Sequence, residues 1–124
     1  MANPNIVSVA SIYGKTVYDT DIAASAASLV SNAASSGKIY KINSLIIANI
    51  DGTNAADITV TLRNAAGGTT YSTIAGTISI PADATLVVVS KDTSIYLEED
   101  MSLYVLASAA GDLSATCSYE EISE

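Results

Sequence analysis

Lys38-Ile39-Tyr40-Lys41-Ile42-Asn43-Ser44-Leu45-Ile46-Ile47-Ala48-Asn49-Ile50 is the stretch that decides the fold. β-Branched and aromatic residues crowd it, as they do a pleated strand. Tyr40 and Ile42 point to one side and Lys41 and Asn43 to the other, the period of a strand with one buried face. Leu45-Ile46-Ile47 is apolar on both phases, which predicts a central strand covered on both faces along that run. Asp51-Gly52-Thr53-Asn54 has the composition of a β-turn and ends the strand.

The chain downstream reads as further strands beside or over this one. Ile58, Val60 and Leu62 alternate strictly with Asp57, Thr59, Thr61 and Arg63, giving one buried and one wet face. Thr69–Ile74 and Thr77–Ile80 read as two short strands, the second halted by Pro81, which has no amide to pair. Thr85-Leu86-Val87-Val88-Val89 is a second run apolar on both phases. Ile95-Tyr96-Leu97 is short. Met101, Leu103 and Val105 then alternate with Ser102 and Tyr104, and Leu113, Ala115, Cys117 and Tyr119 with Ser114, Thr116 and Ser118. Upstream, Ile6–Tyr13 reads as a strand ended by Gly14-Lys15, with Thr16-Val17-Tyr18 β-prone after it. Residues 22–37 are rich in Ala and Ser without a sustained helical stripe, so a strand around Ser28-Leu29-Val30-Ser31 followed by a loop is expected. About eight to nine strands, with turns every eight to twelve residues, predict an all-β antiparallel sandwich or jelly roll. Residues 1–124 form one domain on this reading, with 1–13 as an N-terminal arm free to pair with a neighbour's strand edge.

Composition narrows the function. Of 124 residues 49% are hydrophobic and only 15% charged, so the chain buries a core and leaves a surface of Ser, Thr, Ala and Asn, or one covered by another subunit. The net charge of −8 disfavours nucleic acid and anionic membrane as partners. Histidine is absent, which removes the commonest general base and a common metal ligand. The single cysteine, Cys117, lies on the apolar phase of its strand and reads as core. No basic segment precedes an apolar run in the manner of a secretory leader, so folding in a reducing cytoplasm is expected.

Few residues propose chemistry. Asp19 and Asp21 offer carboxylate oxygens to a cation such as calcium, but the rest of a calcium loop is missing and a solvated turn is the plainer reading. Glu98-Glu99-Asp100 reads as a wet turn, and Glu120-Glu121 with Glu124 as a solvated tail. No catalytic residue and no cofactor are expected. The aromatic set is seven tyrosines with no Phe or Trp, a residue that suits interfaces because it buries a ring and keeps a hydroxyl wet. Tyr13, Tyr96 and Tyr104 are the interface candidates, the last two because they are out of phase with their apolar neighbours. Exposed tyrosines can also stack on sugars, which keeps a carbohydrate-binding module as an alternative.

Lys38–Asn49, Ile80-Pro81-Ala82-Asp83-Ala84-Thr85-Leu86, Ile95-Tyr96-Leu97-Glu98-Glu99 and Cys117-Ser118-Tyr119-Glu120-Glu121-Ile122 together resemble small virion structural proteins of tailed phages, notably marine and cyanobacterial ones. The likeness spans about residues 38–122. The acidic turn departs from the pattern: Glu-Glu-Gly-Asp is frequent there, whereas Asp100 here follows Glu99 without the glycine. The resemblance implies a non-enzymatic β-sandwich subunit of a virion, folded in the host cytoplasm. A capsid decoration or cement protein bound to the major capsid protein is expected first, as a homo-oligomer with a trimer favoured. A neck, tail or fibre component is the second expectation.

Overall fold

The computed structural model describes residues 3–124. Nine strands make up the fold: β1 (Ser11–Asp19), β2 (Ala27–Asn32), β3 (Lys38–Asn49), β4 (Ala56–Arg63), β5 (Thr70–Ile80), β6 (Thr85–Val89), β7 (Ile95–Leu97), β8 (Met101–Ala107) and β9 (Leu113–Ser123). They form two antiparallel sheets. Sheet A runs β1-β9-β3-β6, with β7 also on β3, and sheet B runs β2-β8-β4-β5. This crossing of the chain between two sheets is the jelly-roll order.

The 38–50 stretch is central, as its composition predicts. β3 pairs with β9 on one side and with β6 and β7 on the other. A bulge between Ile42 and Ser44 changes its phase, so Ile42 and then Leu45 and Ile47 all reach the core. Those three meet Ile58, Val60, Leu103 and Val105 of sheet B in one apolar cluster. Burying each such side chain is worth roughly 1.5–3 kcal/mol.

Two buried asparagines fasten the ends of β3. Asn32, fully buried, donates from Nδ2 to the carbonyls of Lys38 (2.9 Å) and Leu97 (3.0 Å), and its Oδ1 accepts from Ser36 (2.6 Å). Asn49 donates to the carbonyls of Asn54 (3.0 Å) and Ile80 (2.9 Å) and accepts from the Asp51 amide (2.9 Å). Each amide bonds backbone groups that the ladders leave over.

Several boundaries differ from expectation, for local reasons. β1 starts at Ser11 and runs straight through Gly14-Lys15. Gly14 has no positive φ, so nothing in its backbone breaks the strand. Ile6 and Val7 are exposed and lie outside any strand. The segment Asn3–Ala10 instead folds back on its own domain, through Asn3 to Glu98 (2.6 Å), the Asn5 amide to Glu124 (2.7 Å) and the Ala10 amide to the Ser123 carbonyl (3.0 Å). The first two residues of the expected 1–13 arm lie outside the described residues. The two short strands expected over 69–80 are one strand, β5, carried past Gly76 by a register shift where Thr77 takes φ +50°. A β-branched residue is strained there, so Thr77→Gly should raise stability by up to about 1 kcal/mol. Asp100 takes φ +63°, adopting as an aspartate the backbone that glycine would favour.

Candidate interaction surface

Three places gather side chains of interest. The first is the inner phase of sheet A at its Lys38 end. Tyr13, Glu121 and Tyr40 lie directly opposite one another across β1, β9 and β3. Lys15 Nζ stands 3.2 Å and Lys38 Nζ 3.5 Å from the Glu121 carboxylate, and the Tyr40 and Tyr119 rings lie 5.2 Å apart. Glu121 is therefore no solvated tail: it is 7% exposed, held in β9 between two lysines. Burial alone would raise its carboxyl pKa, but the Lys15 hydrogen bond and the charges of Lys38 and Lys15 outweigh it and leave the pKa lowered. The Tyr40 hydroxyl is pushed up to about 12, first by burial and then by the Glu121 charge. Burial also pushes the Cys117 thiol up to about 12.

These shifts give a pH profile. The Tyr40 and Cys117 contributions are complete below their ordinary values of 10.0 and 9.0 and fade as pH rises toward about 12. The Glu121 contribution is complete above its ordinary 4.5 and is lost as pH falls through its lowered value. Melting temperature should therefore be flat near neutrality and fall on both sides. Tyr40→Phe should shrink the alkaline fall above pH 10.0, and Glu121→Gln the acid one. An unchanged alkaline limb in Tyr40→Phe would refute the assignment.

The second place is around Tyr104, on the outer phase of sheet B. The Arg63 guanidinium lies 4.9 Å above its ring, and Arg63 also donates to Thr61 (2.9 Å) and to the Gly67 carbonyl (3.2 Å). Gly67, at φ +83°, lies against the ring: an added Cβ would collide with Oη and Cζ and come within 2.9 Å of Cε2. Tyr104 is thus half-buried beneath its own chain. Gly67→Ala should cost about 2–3 kcal/mol from overpacking plus left-handed strain. In a Tyr104→Ala background only the backbone part, about 1 kcal/mol, should remain. Denaturant melts of the four proteins test this, and equal costs in both backgrounds would exclude the clash.

The third place is the outer face of sheet A. One row crosses β1, β9, β3 and β6: Tyr18 opposite Thr116, Thr116 opposite Ile46, Ile46 opposite Val87. Tyr18, Ile46 and Val87 are 70%, 36% and 57% exposed. The next row is Thr16, Ser118 and Ser44, and beyond it lie Gly14, Glu120, Lys41 and Tyr96. Among the residues of β1, β9, β3, β6 and β7 on this face, Lys41 and Glu120 are the charges and lie opposite each other, so these strands set no net charge on it in a chain of net charge −8. Tyr96, an interface candidate, is on it and 41% exposed. Tyr13, the third candidate, is 57% exposed on the inner phase of β1.

The two-sided apolar runs of β3 and β6 predict cover on both faces, yet among the described residues no element covers the row containing Ile46 and Val87. Sequence reasoning named neither residue as a surface group, although those same apolar runs were its signal.

Asp19 and Asp21 serve as turn acceptors. Asp19 Oδ1 accepts from the Asp21 amide (3.0 Å) and Asp21 Oδ1 from the Gly111 amide (2.6 Å). Among the described residues no group of three or more His, Cys, Asp or Glu gathers to hold a metal ion. Shallow depressions of about 430 and 190 Å³ lie beside Asn5–Glu124 and Asp57–Ser108, and neither contains a candidate residue. Among the described residues no helix is long and apolar enough to cross a membrane.

No protein-family model and no curated protein matches the chain. Among solved structures, a Bacillus endospore appendage protein, from a family of disulfide-linked pili, is 20% identical, over 91% of this chain and 88% of that one, with a TM-score of 0.53. VP2 of infectious bursal disease virus, solved as a subviral particle, is 14% identical over 94% of this chain with a TM-score of 0.48, and this chain spans 34% of it. The appendage likeness is one of fold: the chain is built as a jelly roll.

Proposed function

We propose that this chain is a non-enzymatic structural subunit of a phage virion, a decoration or cement protein that docks on the assembled shell. The observation that carries the reading is the exposed, neutral row of Tyr18, Ile46 and Val87 on the outer face of sheet A. Strands patterned for cover on both faces leave one face to be covered by a neighbour. The neutral row also spares a chain of net charge −8 the cost of meeting like charge at the contact. Binding only the assembled shell would stabilise that shell by mass action. The resemblance of residues 38–122 to phage virion proteins supports the same reading.

The fold shared with a pilus subunit favours a second reading, a repeating fibre or tail component. Disulfide linkage of the kind named for those pili has no counterpart on this surface, because the single cysteine is buried.

Quantitative mass spectrometry of purified particles separates the readings. A copy number comparable with the shell protein is expected. A few copies per particle would favour the neck, tail or fibre, and absence from particles would end the virion reading.

A further inference from the structure

We infer that the free edge of β1 is a self-association site, taking the β1 edge of a second copy in antiparallel pairing so that sheet A continues across a twofold axis. The occupant is a strand because the edge offers unpaired backbone amides and carbonyls. Among the described residues β1 bonds β9 on one side only, in nine consecutive pairs without a register shift. The other edges are poorer templates. β5 carries three register shifts and the left-handed Thr77, β2 is shifted between Ser28 and Val30, β6 has five residues after Pro81, and β7 has three.

The register of the strand suits a second copy of itself. A twofold axis normal to the sheet keeps inner residues opposite inner residues, so β1 can meet itself only with even residue sums. Centring on Lys15 sets like charges opposite each other, centring on Gly14 puts two glycines at the middle of the contact, and centring on Val17 sets Lys15 against Asp19 but pairs only residues 15–19 of the strand, where centring on Thr16 pairs 13–19. Centring on Thr16 places Thr16 against Thr16, Lys15 against Val17 and Gly14 against Tyr18. Threonine pairs and aromatic rings over glycine are both favourable cross-strand neighbours. This register gives a reason for Gly14 and adds a second one for the exposure of Tyr18. Gly14 sits inside a regular strand with no positive φ and nothing among the described residues within 4 Å of where its Cβ would be. Tyr18, on the same outer phase, is 70% exposed. Each Tyr18 ring would lie over the other copy's Gly14.

The test uses the full chain, and its outcome is independent of whether the chain binds particles. Sedimentation equilibrium over a concentration series should show a reversible dimer, and Tyr18→Ala should weaken it about tenfold or more, as loss of an interface aromatic does. Under mild oxidation Thr16→Cys, whose two Cα atoms face each other, should form a covalent dimer roughly ten times faster than Gly14→Cys, which faces Tyr18. Thr16 and Gly14 are exposed, so both variants should melt like the parent, and the buried Cys117 does not compete. A monomer at all concentrations, a trimer, or equal cross-linking rates at positions 14 and 16 would overturn the inference. A chain that dimerises yet is absent from particles would end the virion reading and leave this one standing.

Discussion

Ile46→Lys is expected to abolish docking of the chain on its particle while leaving the fold intact. Ile46 is 36% exposed, so a lysine there can reach water, and a surface change of this kind shifts stability by roughly 0.5 kcal/mol or less. At a contact the same lysine would be buried opposite Val87 and Thr116 with no carboxylate in either strand position. An unpaired charge at the centre of an interface costs several kcal/mol, so affinity should fall about a hundredfold or more. Val87→Glu should do the same from the neighbouring strand. Ile78→Lys is the control: Ile78 is 41% exposed on β5 of the other sheet, and its replacement should leave docking unchanged. Pelleting of the chain with particles reads all three. Equal loss in Ile78→Lys would show that charge rather than place is responsible.

Asn32→Ala should be the most damaging single polar substitution. The change removes three hydrogen bonds and leaves the Lys38 and Leu97 carbonyls without their donor. Net bonds of about 1 kcal/mol each, plus the penalty for unpaired buried groups, give a loss of about 3–5 kcal/mol. That is a large share of the 5–15 kcal/mol typical of a domain and corresponds to a melting-temperature fall of roughly 10–20 °C. The loss concentrates at one end of the sandwich, because the Asn32 carbonyl also accepts from the Asp100 amide (2.9 Å) and so holds the turn before β8. Asn32→Asp should rescue little: it keeps an acceptor for Ser36 but presents oxygen to two carbonyls. Asn43→Ala, which removes one partly exposed bond to Glu120, should cost under about 1 kcal/mol. Similar losses for positions 32 and 43 in urea melts would refute the role given to Asn32.

The elements with strong periodicity were legible in the sequence. Ile58, Val60 and Leu62 alternate and all face the core, and β3 is central as its apolar run implies. Residues 27–32 form the strand expected within the Ala/Ser-rich region. Gly14 was misread as a break because glycine marks a turn only where φ is positive or the ladder ends, and neither holds there, whereas the split expected within 69–80 is a register shift at Gly76 and Thr77 inside one strand. The pins Asn32 and Asn49 were illegible for another reason. An asparagine is usually a turn residue, and only the folded chain shows which carbonyls lie within reach of its amide. Glu121 was misjudged because its partners, Lys15 and Lys38, are distant in sequence. The surface was half-legible. Apolar runs announced that Ile46 and Val87 would be covered, but the strand order was needed to show that no element among the described residues covers them.

Tyrosine footprinting of the chain, free and in intact particles, tests the docking face most directly. Tyr96 on the outer phase of sheet A and Tyr71 on sheet B are 41% and 49% exposed, so their free reactivities should be similar. In the particle Tyr96 should be protected and Tyr71 should react as before. Protection of Tyr71 with Tyr96 unchanged would contradict assembly through the outer face of sheet A.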